Sequence, residues 1–151
     1  MYVDECGVNS CLQREYARAP RGEIIEETTR GKKFDRANTV GALCNGEHAA
    51  IECYRHATDS AFFEGWFESR LLKEMPSGYT VIMDNAGFHR KKELRKLARG
   101  KVRLLFLPPY SPDYNPIEKT WANMKRFLRN NLKDFLSVDS AIYNYFGVID
   151  N

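Results

Sequence analysis

Three acids on three separate stretches of the chain have the residue types needed to share divalent cations. Asp84 follows the apolar run Tyr79-Thr80-Val81-Ile82-Met83, which predicts a strand closed by the acid. Glu118 stands inside Leu107-Pro108-Pro109-Tyr110-Ser111-Pro112-Asp113-Tyr114-Asn115-Pro116-Ile117-Glu118-Lys119-Thr120-Trp121, a proline-rich approach to a helix. Asp4 ends the other early strand candidate, Met1-Tyr2-Val3. Magnesium is a hard ion that takes one or two carboxylates together with water and substrate phosphate. Two such ions about 4 Å apart activate an attacking oxygen and stabilise a leaving one. That chemistry needs acids from several elements converging at one sheet edge with positive charge nearby.

Each acid taken singly also has a plain structural role. Asp84 precedes Asn85-Ala86-Gly87-Phe88-His89 and could be a turn aspartate collecting backbone N–H groups. Asn115, Pro116 and Glu118 have the spacing of a helix N-cap, first turn and capping box. Asp4 has Glu5 beside it, and strand alternation sends the two to opposite faces, where either could be a solvated charge. The constellation is a better signal than any member of it.

The elements that must position these residues can be read from periodicity. Residues 1–6 predict a strand, and 9–36 a polar, irregular stretch centred on Ala19-Pro20-Arg21-Gly22. Thr39–Cys44 and His48–Tyr54 flank Asn45-Gly46, the signature of a hairpin with a tight primed turn. Asp59 or Ser60 can cap a helix to about Glu74 that carries Phe63, Phe67 and Leu71 at helical spacing, before Pro76 and Gly78 stop it. A strand over Tyr79–Met83, a basic helix over Arg90–Ala98 with Leu94 and Leu97 inward, and a strand over Val102–Leu107 follow. A helix from Asn115 to about Asn131 and another from Val138 to about Phe146 complete the order. In the first of these, Ile117, Trp121, Met124 and Leu128 form the core stripe, with Glu118, Lys125 and Arg129 on the adjacent one. An antiparallel start followed by alternating units predicts an α/β fold with a mixed sheet flanked by helices.

At 151 residues the chain suits one domain, and 43% hydrophobic with 28% charged residues suits a globular one. No stretch approaches the roughly 20 apolar residues of a membrane span, and the start lacks a basic-then-apolar leader. Cys6, Cys11, Cys44 and Cys53 show no CxxC spacing, so reduced thiols and a cytoplasmic location are expected. Cys44, His48, Cys53 and His56 have zinc-binding types without the spacing of a common zinc module. The net charge of +3 is uneven: Arg90–Arg129 holds twelve Lys/Arg against Glu93, Asp113 and Glu118, a local +9 that leaves −6 elsewhere. A basic half around two of the acids suits a polyanionic substrate.

Val81-Ile82-Met83-Asp84-Asn85-Ala86-Gly87-Phe88-His89, with Leu104-Leu105-Phe106 leading into the Leu107–Trp121 block, resembles the catalytic domain of DDE transposases, in particular the bacterial insertion-sequence group related to mariner. Val3-Asp4-Glu5, Ala19–Gly22 and Val40-Gly41-Ala42-Leu43 add to a similarity spanning about residues 1–130. The resemblance implies a ribonuclease-H-like fold with a five-stranded mixed sheet and helices on both faces. It implies metal-dependent cleavage of DNA at transposon ends, then attack of the freed 3′-hydroxyl on target DNA, with two Mg2+ or Mn2+ ions. Asp4, Asp84 and Glu118 are the implied metal-binding triad, His89 and Asn115 lie near the site, and Asp113 is left as a turn residue. Related enzymes act as homodimers and carry an N-terminal helix-turn-helix region. Here the first acid is residue 4, so the expectation is a single catalytic domain over 1–151 without that region.

Arg90, Lys91, Lys92, Lys119, Lys125, Arg126 and Arg129 are the expected phosphate contacts, the α-helical residues sharing an element with Glu118 being the stronger candidates. The alternative for each is a solvated helix face. Two rival functions stay open at this point: a catalytically silent DNA-binding remnant, and a ribonuclease-H-like cellular nuclease acting on hybrids or branched DNA.

Overall fold

The protein is described by a computed structural model that covers residues 1–9, 36–108 and 114–148. The irregular stretch expected over 9–36 lies almost wholly outside these residues, as do Cys11, Tyr110 and Asp113.

Five strands form one sheet: β1 (Tyr2–Asn9), β2 (Arg36–Cys44), β3 (Glu47–Tyr54), β4 (Thr80–Met83) and β5 (Arg103–Phe106), in the spatial order β3-β2-β1-β4-β5. β1 and β2 pair antiparallel, as do β2 and β3, whereas β4 runs parallel to both β1 and β5. The hairpin turn is of the expected primed kind, since Asn45 and Gly46 both have positive φ, 53° and 89°. β1 runs further than the sequence suggested. Asp4 does not end it, because the strand pairs with β2 without interruption from Tyr2↔Leu43 to Asn9↔Arg36. Cys6 and Val8 supply the alternating buried positions that carry it on.

Alternation along β1 divides the core into two. On one face Val3, Val40, Ala42, Val81 and Met83 meet α1 (Ser60–Trp66) and α3 (Lys91–Ala98) through Phe63, Trp66 and Leu94. On the other, Cys6, Val8, Ala37 and Ile51 meet α4 (Ile117–Asn131) and α5 (Val138–Phe146) through Trp121, Met124, Leu128 and Ile142. Asp59 caps α1, its carboxylate accepting from the Phe62 N–H at 2.8 Å. α1 then runs into a π-helical segment, Phe67–Leu71, before the short α2 (Leu72–Glu74). Within this stretch Phe63, Phe67, Leu71 and Leu72 are all buried.

The capping box expected at α4 is absent. The helix begins at Ile117 after Pro116, with no side-chain cap. Glu118 contributes its backbone, its N–H donating to the Asn115 carbonyl at 3.1 Å, while its side chain faces solvent. The core stripe of α4 is the expected one, with Ile117, Trp121, Met124 and Leu128 all buried. A true capping box instead opens α5, between Ser137 and Ser140.

Candidate active site

The two central strands bring two of the acids abreast. Tyr2 pairs with Ile82 and Val3 with Met83 across the parallel β1–β4 ladder, so Asp4 and Asp84 are the next residues along each chain. Asp4 faces the α4 side of the sheet. There Trp121, 5% exposed, donates its indole N–H to Asp4 Oδ2 at 3.1 Å. Trp121 lies one helical turn beyond Glu118 on α4, so this bond ties the start of that helix to the middle of β1. The register partner of Asp4 on β2 is Gly41, and a Cβ there would overlap the end of Ile51 and touch the Trp121 ring. Glycine at this position lets the indole lie close over the sheet.

Asp84 combines the turn role with a second one. Its Oδ1 accepts from the Ala86 N–H at 3.0 Å and also faces His89 Nδ1 at 3.1 Å. His89 is buried, and its other nitrogen, Nε2, meets Glu5 Oε1 at 3.2 Å. Glu5 is therefore no loose surface charge but one end of a Glu5–His89–Asp84 chain, and Asp4 is likewise held by Trp121.

These contacts set the electrostatics. Burial, and then the neighbouring Glu5 charge, push the Asp4 carboxyl up to about 7 against the lowering effect of its hydrogen bonds. Asp84 moves the other way, held below the usual carboxylate range chiefly by its hydrogen bond to His89. Burial alone would lower His89, but the bonds to Asp84 and Glu5 outweigh it and raise the imidazole to about 9. At neutral pH both ring nitrogens then carry protons, which suits their all-oxygen surroundings.

Glu118 is exposed on the first turn of α4 and is not gathered with the aspartates. Among the described residues no three His, Cys, Asp or Glu side chains come close enough together to hold a metal ion. The donor chemistry of the aspartates nonetheless fits a hard divalent cation: carboxylate oxygens from β1 and from the residue that follows β4. Asn115 is buried just ahead of α4, and its Oδ1 has no hydrogen-bond partner among the described residues.

The zinc-type residues go elsewhere: His48 Nε2 meets Thr120 Oγ1 at 3.2 Å, and His56 lies against Tyr54 and Phe62. Among the described residues no disulfide joins Cys6, Cys44 and Cys53. Of the expected phosphate contacts, Lys92, Lys119, Arg126 and Arg129 are exposed, with Lys125 half-buried. Arg90 is already engaged, its guanidinium donating twice to the Glu64 carboxylate at 2.6 and 2.8 Å. Lys91 lies over the Phe106 ring at 5.1 Å. Sequence reasoning placed Trp121 only in the core; its one-turn spacing from Glu118 was the available sign of its second task. Nothing in the local pattern marked Glu5 as a partner of His89, which is 84 residues away.

A mixed sheet in the order β3-β2-β1-β4-β5, with helices on both faces, Asp4 within β1 and Asp84 just past the end of β4, is a ribonuclease-H-like fold. The similarity is visible in solved structures. The Mos1 transposase paired-end complex with left transposon end matches with a TM-score of 0.64 at 14% identity, covering 97% of this chain and 50% of that one. The Mos1 strand transfer complex matches at 0.66 and 16%, with 97% and 50% covered. The simian T-cell lymphotropic virus intasome in complex with PP2A regulatory subunit B56 gamma matches at 0.57 and 14%, with 88% and 53% covered. The chain thus spans about half the length of these solved relatives. A Sinorhizobium fredii (strain NBRC 101917 / NGR234) protein, y4pE/y4sA, is 39% identical over 51 residues, 34% of this chain and 33% of that protein. The sequence profile of the DDE superfamily endonucleases matches residues 1–140, and the chain belongs to that family.

Proposed function

We propose that this chain is the catalytic domain of a DNA transposase that cleaves transposon ends and joins the freed 3′-hydroxyl to target DNA. The observation that carries this reading is the placement of Asp4 and Asp84 immediately after the last paired residues of β1 and β4, with the helix that carries Glu118 tied to Asp4 through Trp121. Asp4, Asp84 and Glu118 would hold two Mg2+ or Mn2+ ions. When bound, such ions supply a polarised attacking oxygen and offset charge on the leaving one. The protein's own part is positional. Trp121 and the Glu5 backbone hold the Asp4 carboxylate, and the Ala86 N–H and the nearby His89 ring hold Oδ1 of Asp84, which leaves Asp84 Oδ2 for a ligand. Exposed basic residues of α3 and α4 would seat the DNA backbone, and the working assembly would be a homodimer on DNA.

Asp84→Asn or Glu118→Gln should abolish manganese-dependent nicking of plasmid DNA while leaving the circular dichroism spectrum and melting curve of a folded protein. Cleavage retained by either variant would remove that residue from the triad. A second reading draws on the open position of Glu118: a catalytically silent remnant that still binds DNA. Salt-sensitive DNA affinity without scission in manganese would decide for it. Comparing duplex DNA with an RNA–DNA hybrid as substrates separates both from a cellular nuclease that must sense the 2′-hydroxyl.

A further inference from the structure

Behind the aspartate pair, on the α1 and α3 side of the sheet, lies a second polar chain. Glu5 follows Asp4 in β1, so its side chain leaves the opposite face of the strand. It reaches His89, whose ring is 1% exposed and packs tilted against Phe63, 4.3 Å between centroids, and edge-on against Phe88 at 4.6 Å. With the ring wedged in this way, its two nitrogens have fixed directions. Nε2 points at Glu5 Oε1, 3.2 Å away, and Nδ1 at Asp84, hydrogen-bonded to its backbone carbonyl at 3.3 Å and lying 3.1 Å from its Oδ1. The loop carrying the histidine is pinned as well, because the His89 N–H donates to the Ala86 carbonyl and Ser60 Oγ donates to the Phe88 carbonyl. Asp84 is thus held from a rigid setting, its Oδ1 accepting from the Ala86 N–H and paired with the His89 ring, which also bonds the Asp84 carbonyl.

A carboxylate just past a strand end has a free χ1 and χ2 unless something holds them. Here the holding group is itself held by a third side chain. We propose that Glu5 and His89 are positioning residues that orient the Asp84 carboxylate for a divalent cation, Glu5 acting through the histidine and His89 directly. This rests on the reading of Asp84 as a metal ligand. Outer partners of this kind typically alter metal affinity by about 10–100-fold when removed. Glu5 is thereby tied to the same centre as its neighbour Asp4, the two adjacent residues serving it from opposite faces of one strand.

The test is Mn2+ affinity by titration calorimetry on the full chain without DNA, alongside the melting temperature of the metal-free protein. Wild type should bind Mn2+ and Asp84→Asn should not, which establishes the ligand role independently. Glu5→Ala and His89→Phe should each weaken binding by about tenfold or more in the folded protein. Glu5→Gln keeps an oxygen that accepts from Nε2 and should bind within about threefold of wild type. A merely structural Glu5 would lower the melting temperature of Glu5→Ala and leave the affinity of the folded protein alone, which overturns the proposal while the ligand reading stands. A tenfold loss in Glu5→Gln would overturn it in favour of simple charge attraction. Absence of Mn2+ binding in wild type would remove the ligand reading and the proposal together.

Discussion

Asp4 is the residue on which competing forces meet most directly. It sits within a strand, half-buried under α4, with Glu5 next in the chain and Asp84 just past the end of the neighbouring strand. Ionising it there is unfavourable, and its carboxyl rises from an ordinary 3.8 to about 7. The folded state therefore holds this proton more tightly than the unfolded chain does. The resulting stability is fully present below about pH 4 and is lost as pH rises through about 7. Asp4→Asn cannot ionise and keeps an oxygen for the Trp121 indole. In chelator it should melt above wild type at pH 8, with the gain shrinking at pH 5. Equal gains at both pH values would show that Asp4 carries no such penalty. The sequence marked Asp4 and Asp84 as chemically interesting through residue type and position. The partners that tune them, Trp121 at a separation of 117 residues and Glu5 by way of His89, were not legible because strand alternation alone assigns Glu5 to an indifferent face.

At the scale of elements, the close approach of α4 to the sheet depends on what β2 omits. Gly41 stands opposite Asp4 in the β1–β2 ladder, beside a bulge where the β2–β3 register shifts between Val40 and Ala42. The bulge leaves Ala50 with a positive φ of 51°, and its backbone is anchored by Glu74, which accepts from the Ala50 N–H, and by the Trp66 indole, which donates to its carbonyl. Gly41→Val would push on both Ile51 and the Trp121 ring. It should cost about 1–3 kcal/mol in denaturant unfolding, as overpacking of a tight core does. It should also change the fluorescence of Trp121 by moving the indole off Asp4. A variant as stable as wild type with unchanged emission would mean that α4 does not rely on this gap. The helix positions themselves were readable from apolar spacing. The absent cap on α4 was not, since Asn115 has the right type for capping yet is buried rather than turned back onto the helix end.

Over the whole molecule, charge separates along the chain, with +9 in residues 90–129 and −6 in the remainder. Structure sorts these cations into different roles. Arg126 and Arg129 are exposed on the helix that begins with Glu118, whereas Arg90 is held in a two-bond fork by Glu64. In duplex DNA binding measured across salt concentrations, Arg126→Ala and Arg129→Ala should each reduce the slope of log affinity against log salt by about one. Arg90→Ala should leave the slope nearly unchanged, because its guanidinium is already neutralised. Matching losses for all three would mean that DNA competes successfully for Arg90 and that the fork opens on binding.

Local pattern by itself determined the elements, the mixed sheet, the three acids and the basic half, because hydrophobic periodicity and turn residues are written in neighbouring positions. The motif resemblance added the fold topology and the family. Only the tertiary structure decided which acids stand abreast, that Trp121 clamps Asp4, that Glu5 reaches Asp84 through His89, and that Arg90 is already spoken for. Those outcomes depend on strand register and helix packing between residues dozens of positions apart. A register moved by one residue would have turned Asp4 to the other face of the sheet and left the same sequence motifs with a different site.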